Sequence, residues 1–223
     1  MDQLIVAIDG PAGSGKTTIS RSVAIMLDML YLDTGAMYRA VAYAAIKDNV
    51  DVADFDKITQ VFENNCFDFS YCQKEKKMQV FLNGKELIDE IRTNDVEIAV
   101  SDVARNGIVR ELLVALQRKI STKEKRVILD GRDIGTVVFP DADVKIFLTA
   151  KPEERARRRL KDKKLPESEL MIVMKDLLRR DKIDSERAIG PLKQADDAVL
   201  IDTTELSLDE VINKVKELII AKK

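Results

Sequence analysis

The segment Gly10-Pro11-Ala12-Gly13-Ser14-Gly15-Lys16-Thr17 constrains this chain more than any other stretch. It fits the pattern G-x-x-x-x-G-K-S/T, and its flanks decide what the match means. Residues 3–8 before it read Gln-Leu-Ile-Val-Ala-Ile. That is a short apolar run of the kind buried on both faces in a parallel sheet. A helix pattern follows from about Lys16 to Asp28. A strand, a glycine-rich turn and a helix in that order predict a phosphate-binding loop. The glycines let successive backbone N–H groups curve around phosphate oxygens without Cβ clashes, and the helix N-terminus adds partial positive charge. Lys16 is expected to reach the β- and γ-phosphates of a nucleotide, and the Thr17 hydroxyl to ligate Mg2+.

The remaining pattern places this loop in an alternating β/α chain. Short apolar runs at 30–32, 127–129 (ending at Asp130), 144–148 and 199–201 predict four further core strands. Helical patterning covers 36–47, 54–64, 94–105, 109–120, 152–163 and 166–182. The last helix, 208–220, carries apolar residues at 208, 211, 212, 215, 218 and 219, a helix-period stripe. Between the helices at 54–64 and 94–105 the character changes. Residues 67–71 and 79–82 alternate like strands, and Asn83-Gly84 signals a hairpin before Leu87-Ile88. No internal repeat interrupts the chain. The expected fold is α/β, a five-stranded parallel sheet flanked by helices with a small antiparallel β insertion.

Composition narrows the chemistry. There is no histidine among the 223 residues, which removes Ser–His–Asp and Cys–His catalysis and any His-ligated metal site. The formal net charge of −2 gives no support for wrapping a nucleic-acid polymer. That charge is unevenly spread: residues 151–193 hold 14 basic and 9 acidic side chains, and seven of the 15 arginines fall between Arg155 and Arg187. Cys66 and Cys72, in an extended segment, would stand about 20 Å apart, too far for a mutual bridge. Two half-buried thiols in a reducing, cytoplasmic setting are expected. The opening residues lack the basic start of a signal peptide, and no apolar run approaches the length that spans a bilayer.

Three further clusters bear on the ligand. Asp33-Thr34-Gly35-Ala36-Met37-Tyr38-Arg39 reads as ordinary helix capping by Asp33 or Thr34. It also puts Arg39 one turn inside the helix, where it could face an acceptor phosphate. Val127-Ile128-Leu129-Asp130-Gly131-Arg132-Asp133 ends an apolar strand in an acid and a turn. That is the carboxyl edge where open α/β sheets bind ligands, or a surface ion pair. Arg155, Arg158 and Arg159 can share one helix face. They suit either a transferring phosphoryl group or a solvated helix paired with Glu153 and Glu154. No guanine-reading Asn/Thr-Lys-x-Asp motif follows a core strand, which favours a small-molecule kinase over a switch GTPase.

Taken together these segments resemble the bacterial cytidylate kinases, a family of nucleoside monophosphate (NMP) kinases. The resemblance spans nearly the whole chain. It rests on residues 10–16, Leu-Asp-Thr-Gly-Ala-Met-Tyr-Arg at 32–39, the insertion ending near Ile91-Arg92-Thr93, and Asp-Gly-Arg-Asp-Ile-Gly-Thr-Val-Val-Phe-Pro at 130–140. It continues through Lys-Ile-Phe-Leu at 145–148, the arginine-rich 153–159, Arg187-Ala188 with Pro191-Leu192, and Asp202-Thr203-Thr204.

The resemblance implies a P-loop NMP-kinase fold as a single kinase domain over 1–223. Its core would be about 1–33, 107–150 and 184–223, with an NMP-binding region at about 34–106 and an arginine-rich lid at about 151–183. It implies ATP contacts at Gly10, Pro11, Ala12, Gly13, Ser14, Gly15, Lys16, Thr17 and Thr18. Arg39, Arg132 and Arg187 would clamp the acceptor phosphate. Ser101, Arg110 and Asp133 would read the cytosine edge, and Arg180 and Asp184 would hold the ribose, with Thr34 also in the CMP site. Arg155, Arg158 and Arg159 would line a lid over ATP. Lys16, Arg132, Arg187 and the lid arginines form the expected catalytic set. The implied reaction is transfer of the γ-phosphate of Mg-ATP to CMP or dCMP by a cytoplasmic monomer, with small molecules as its only partners. UMP or another small metabolite as acceptor, and a nucleotide-dependent regulatory switch, are the competing readings.

Overall fold

The apolar run before the glycine-rich turn becomes β1 (Leu4–Asp9), and the turn leads into α1 (Lys16–Leu27). The computed structural model describes residues 3–72 and 77–222. Next come β2 (Leu30–Asp33), α2 (Thr34–Lys47) and α3 (Phe55–Asn64). The small strands β3 (Phe67–Cys72), β4 (Lys77–Leu82) and β5 (Lys85–Glu86) follow, then α4 (Asn94–Val103) and α5 (Gly107–Ser121). The chain continues through β6 (Arg126–Gly131), β7 (Val144–Thr149), α6 (Pro152–Lys163), α7 (Leu170–Glu186), β8 (Val199–Asp202) and α8 (Leu208–Ile220). Two compact units result, one of Met1–Met29 with Arg126–Lys223 and one of Leu30–Lys125.

The expected five-stranded parallel sheet is present, and four of its strands lie in the first unit in the order β6-β1-β7-β8. Val6, Ala7 and Ile8 of β1 and Val127, Ile128 and Leu129 of β6 are wholly buried. That is why these strands read as unbroken apolar runs. β8 is the edge, with Val199 and Leu200 exposed. The register sets Asp9 of β1 opposite Gly131 of β6 and Phe147 of β7. The loops after β1 and β6 therefore leave the sheet at one level, on its carboxyl edge.

The arginine-rich helices are anchored from below. Ala12 of the loop, Ala156 of α6 and Leu177 of α7 form a buried apolar cluster, with Leu170, Val173 and Met174 packed on it. The helix expected at 166–182 begins later and runs further. Glu167–Glu169 form a 3-10 turn after Pro166, and α7 continues to Glu186.

In the second unit, α2 buries Met37, Ala40, Val41, Ala44 and Ala45. The β insertion is a three-stranded antiparallel sheet, β3-β4-β5. Its tight turn has positive φ at both Asn83 (51°) and Gly84 (79°), the twist a two-residue hairpin needs. The third strand is only Lys85–Glu86, ending before the expected Leu87-Ile88. Leu87 N still donates to Val80 O, and the chain then turns at Glu90–Arg92. The two cysteines are free, at opposite ends of β3; Cys72 is half-buried, but Cys66, just outside the strand, is exposed. Among the described residues no helix is long and apolar enough to cross a membrane.

Candidate functional site

The glycine-rich loop is shaped by positions that no other residue could fill. Gly10 has φ 150°, and a Cβ there would lie 2.0 Å from Leu148 O. Gly15, at φ 91°, is the N-cap of α1. It supplies no capping side chain, and no acid sits in the first turn. Side-chain oxygens cap α2, α3, α4, α5 and α8, whereas α6 and α7 share with α1 the lack of a side-chain cap. The first amides of α1 are thus left for an anion. Lys16 is buried; its Nζ donates to Pro11 O at 2.7 Å and to Ser14 Oγ at 3.4 Å. Burial, and then the nearby Arg132 charge, push its ammonium down to about 7 against the pull of Asp130, Asp9 and Asp184. Thr17, exposed at the loop mouth, donates its hydroxyl to Asp130 Oδ2 at 3.0 Å.

The turn after β6 is built from side chains instead. Arg132 Nε donates to Asp184 Oδ2 at 2.8 Å. Burial works against this guanidinium's charge, but Asp184 outweighs it and holds the group above its ordinary value. Arg187 donates to Asp133 Oδ1 at 3.2 Å and to Gly190 O at 2.5 Å, with only 3% of its side chain exposed. Residues Ile134–Val138 form a π-helical turn. Val138 N and Phe139 N reach back five residues, to Asp133 O and Ile134 O. The first two amides of this turn, Ile134 N and Gly135 N, both donate to the Asp9 carboxylate at 2.8 Å. Burial pushes Asp9 up to about 6 despite those two bonds.

Arg155, Arg158 and Arg159 take different surroundings. Arg155 is turned inward: its guanidinium donates to Ala12 O, Ala150 O and Asp181. Arg158 pairs with Glu154 at 2.9 Å and donates to Thr203 Oγ1 and O. Arg159 is half-buried, as is Arg180 on α7. The Glu153 pairing expected of a solvated face belongs to Arg157.

In the second unit Asp33, not Thr34, is the cap of α2: its Oδ1 accepts from Ala36 N and its Oδ2 from Arg39, each at 2.9 Å. Burial opposes the Asp33 charge, but Arg39 and then the Ala36 amide bring its carboxyl below the usual range. Thr34, Ser101 and Arg110 are buried. Arg110 lies 5.6 Å from the Tyr38 ring centroid and donates to Ala104 O. Asp9, Asp130 and Asp181 were not among the predicted site residues. Asp9 and Asp130 each follow an apolar run at the carboxyl end of a strand, a trace that Asp181 lacks.

A strand, a phosphate-binding loop and a helix on a parallel sheet define an α/β kinase-type fold. The structure is similar over 98% of this chain to shikimate kinase from Bacteroides thetaiotaomicron, of which 99% is covered, with a TM-score of 0.50 at 14% identity. An uncharacterized protein from Eubacterium ventriosum matches at TM-score 0.54 and 13% identity, over 98% of this chain and 99% of that one. Likeness at such identity speaks to the fold alone. Sequence is more specific: the cytidylate kinase family model matches residues 6–221. The cytidylate kinase of Clostridioides difficile (strain 630) is 48% identical over 217 residues, covering 96% of this chain and 97% of that protein. That of Bacillus cereus (strain B4264) is 46% identical over 222 residues, covering 98% and 97%. The chain belongs to the cytidylate kinase family.

Proposed function

We propose that the chain transfers the γ-phosphoryl group of ATP to CMP or dCMP, giving CDP or dCDP and ADP. The observation that carries this reading is the register of β1 and β6. It sets a phosphate-binding loop beside a turn bearing two arginine–carboxylate pairs, in a member of this family.

Residues 10–18 form the ATP site, where main-chain amides of the loop other than Pro11, which has none, and Ala12, whose N–H is on Asp181, hold the phosphates with Lys16 on the β- and γ-phosphates. Thr17 and Asp130 would hold Mg2+. A hydroxyl and a carboxylate oxygen 3.0 Å apart fit an ion that takes few protein oxygens. When bound, the ion neutralises charge on the transferring phosphates. Arg39, Arg132 and Arg187 clamp the acceptor phosphate. Each already rests on a carboxylate, Asp33, Asp184 and Asp133 respectively, so its guanidinium is positioned before the substrate arrives. Ser101, Arg110 and Asp133 read cytosine; Arg180 and Asp184 take the ribose, with Thr34 alongside. Arg158 and Arg159 line the lid, and Arg155 serves ATP from beneath the loop. The nucleophile is a phosphate oxygen that is already ionised, so no general base is required. The absence of histidine is consistent with that. Monomeric action in the cytoplasm completes the reading.

Asp133 carries the choice of base. Cytosine presents an amine where uracil presents a carbonyl, and a carboxylate accepts only from the amine. The test is turnover of CMP, dCMP, UMP, AMP and GMP with ATP and Mg2+. The two cytidine nucleotides should lead; faster turnover of UMP or AMP would defeat the assignment.

A further inference from the structure

The phosphate-binding loop is gripped from outside at Ala12. Its N–H donates to Asp181 Oδ1 at 3.3 Å, and its carbonyl accepts from the Arg155 guanidinium at 2.9 Å. Arg155 and Asp181 close the circuit with an ion pair at 2.6 Å, and Arg155 Nε is tied to Ala150 O beyond the end of β7. The Ala12 side chain is held as well, in the apolar cluster with Ala156 and Leu177. The next residue, Gly13, runs so close to α6 that a Cβ would meet the Arg155 Cβ at 3.2 Å.

From this geometry we infer that Asp181 and Arg155 are a positioning pair for the donor nucleotide, fixing the loop through the Ala12 main chain. A loop with glycines at 10, 13 and 15 has little stiffness of its own. Donors aimed at phosphate charge act best when they need no reorganisation on binding. The Pro11–Ala12 peptide shows the link to chemistry: its N–H is on Asp181 and its C=O is on the Lys16 ammonium. Tilting that peptide moves the resting place of Lys16. Arg155 cannot do this alone, because a buried guanidinium without its carboxylate is strongly disfavoured. Asp181 therefore stabilises Arg155 and orients Ala12 at once.

The inference rests on the loop's role as the ATP site, and its test reads the binding of each nucleotide alone, so that it and the transfer reaction fail separately. ATP with Mg2+ and, independently, CMP are titrated calorimetrically into the full chain and into Asp181→Asn and Asp181→Ala. Asp181→Asn keeps an acceptor for Ala12 N–H and loses the charge; Asp181→Ala loses both. ATP affinity should fall about 10-fold in Asp181→Ala and less in Asp181→Asn, with CMP affinity falling by a clearly smaller factor, since Asp181 also acts on the Arg132 charge. Unchanged ATP affinity in a folded variant, or ATP and CMP weakening in equal proportion, would overturn the inference. If Asp181→Ala fails to fold, Asp181→Asn decides by the same two criteria.

Discussion

The loops that leave β1 and β6 are neighbours at one sheet edge, yet they are built by different means. The β1 loop offers backbone amides, and its shape comes from glycines at fixed spacing. The β6 turn offers Arg132 and Asp133, and its shape comes from partners far away in sequence. Asp9 holds its amides, while Asp184 and Arg187 hold its two charged side chains. A main-chain site binds any phosphate in the right place. A side-chain site can distinguish one base from another. This division suits an enzyme in which one substrate is recognised by its triphosphate and the other by its base.

Three substitutions separate the two loops, in decreasing order of effect. Lys16→Ala removes the cationic side chain of the β1 loop, and kcat/KM should fall about 10³-fold. The fold should survive, because burial already works against this charge; near-normal turnover would refute the loop's role. Asp133→Asn replaces an acceptor with a group that can also donate. The kcat/KM ratio of CMP over UMP should drop about 10²-fold. Thermal stability should fall too, since Arg187 loses a buried partner. The ratio is independent of how much enzyme is folded, so an unchanged ratio would remove Asp133 from base reading.

Asp9→Asn probes the scaffold beneath the β6 turn. The Asp9 carboxyl is raised from 3.8 to about 6 by burial, so the folded chain holds this proton more tightly than the unfolded one. The stability it contributes is therefore greatest at low pH, falls as pH rises from about 4 to 6, and is flat above that. Denaturant unfolding across this window should show a shallower decline in Asp9→Asn than in the parent. The same variant should raise KM for CMP severalfold and leave KM for ATP nearly unmoved. Parallel unfolding curves would contradict the burial of an ionising Asp9.

What the sequence disclosed divides along the same line. Local spacing revealed the β1 loop, the continuous apolar strands and the stripe of α8, whose Val211, Ile212, Val215 and Ile219 are buried. These features arise from neighbours a few residues apart. The π-helical turn at Ile134–Val138 left no comparable sign, because Asp9 stabilises it across more than 120 residues. Likewise Arg155, Arg158 and Arg159 share a helical spacing that suggests one common role. Asp181 and Ala12 draw the first inward, and Thr203 takes the second. Asp181 itself sits in a charged helix where nothing in spacing separates it from Asp176 or Asp184.

Both loops should serve one transfer between two nucleotides. Phosphorus NMR of a single reaction containing the full chain, ATP, Mg2+ and CMP tests it most directly. CDP and ADP should appear in equal amounts, with inorganic phosphate lagging far behind. Phosphate released at the rate of ADP, with CMP left unchanged, would make the chain a hydrolytic switch and contradict the account.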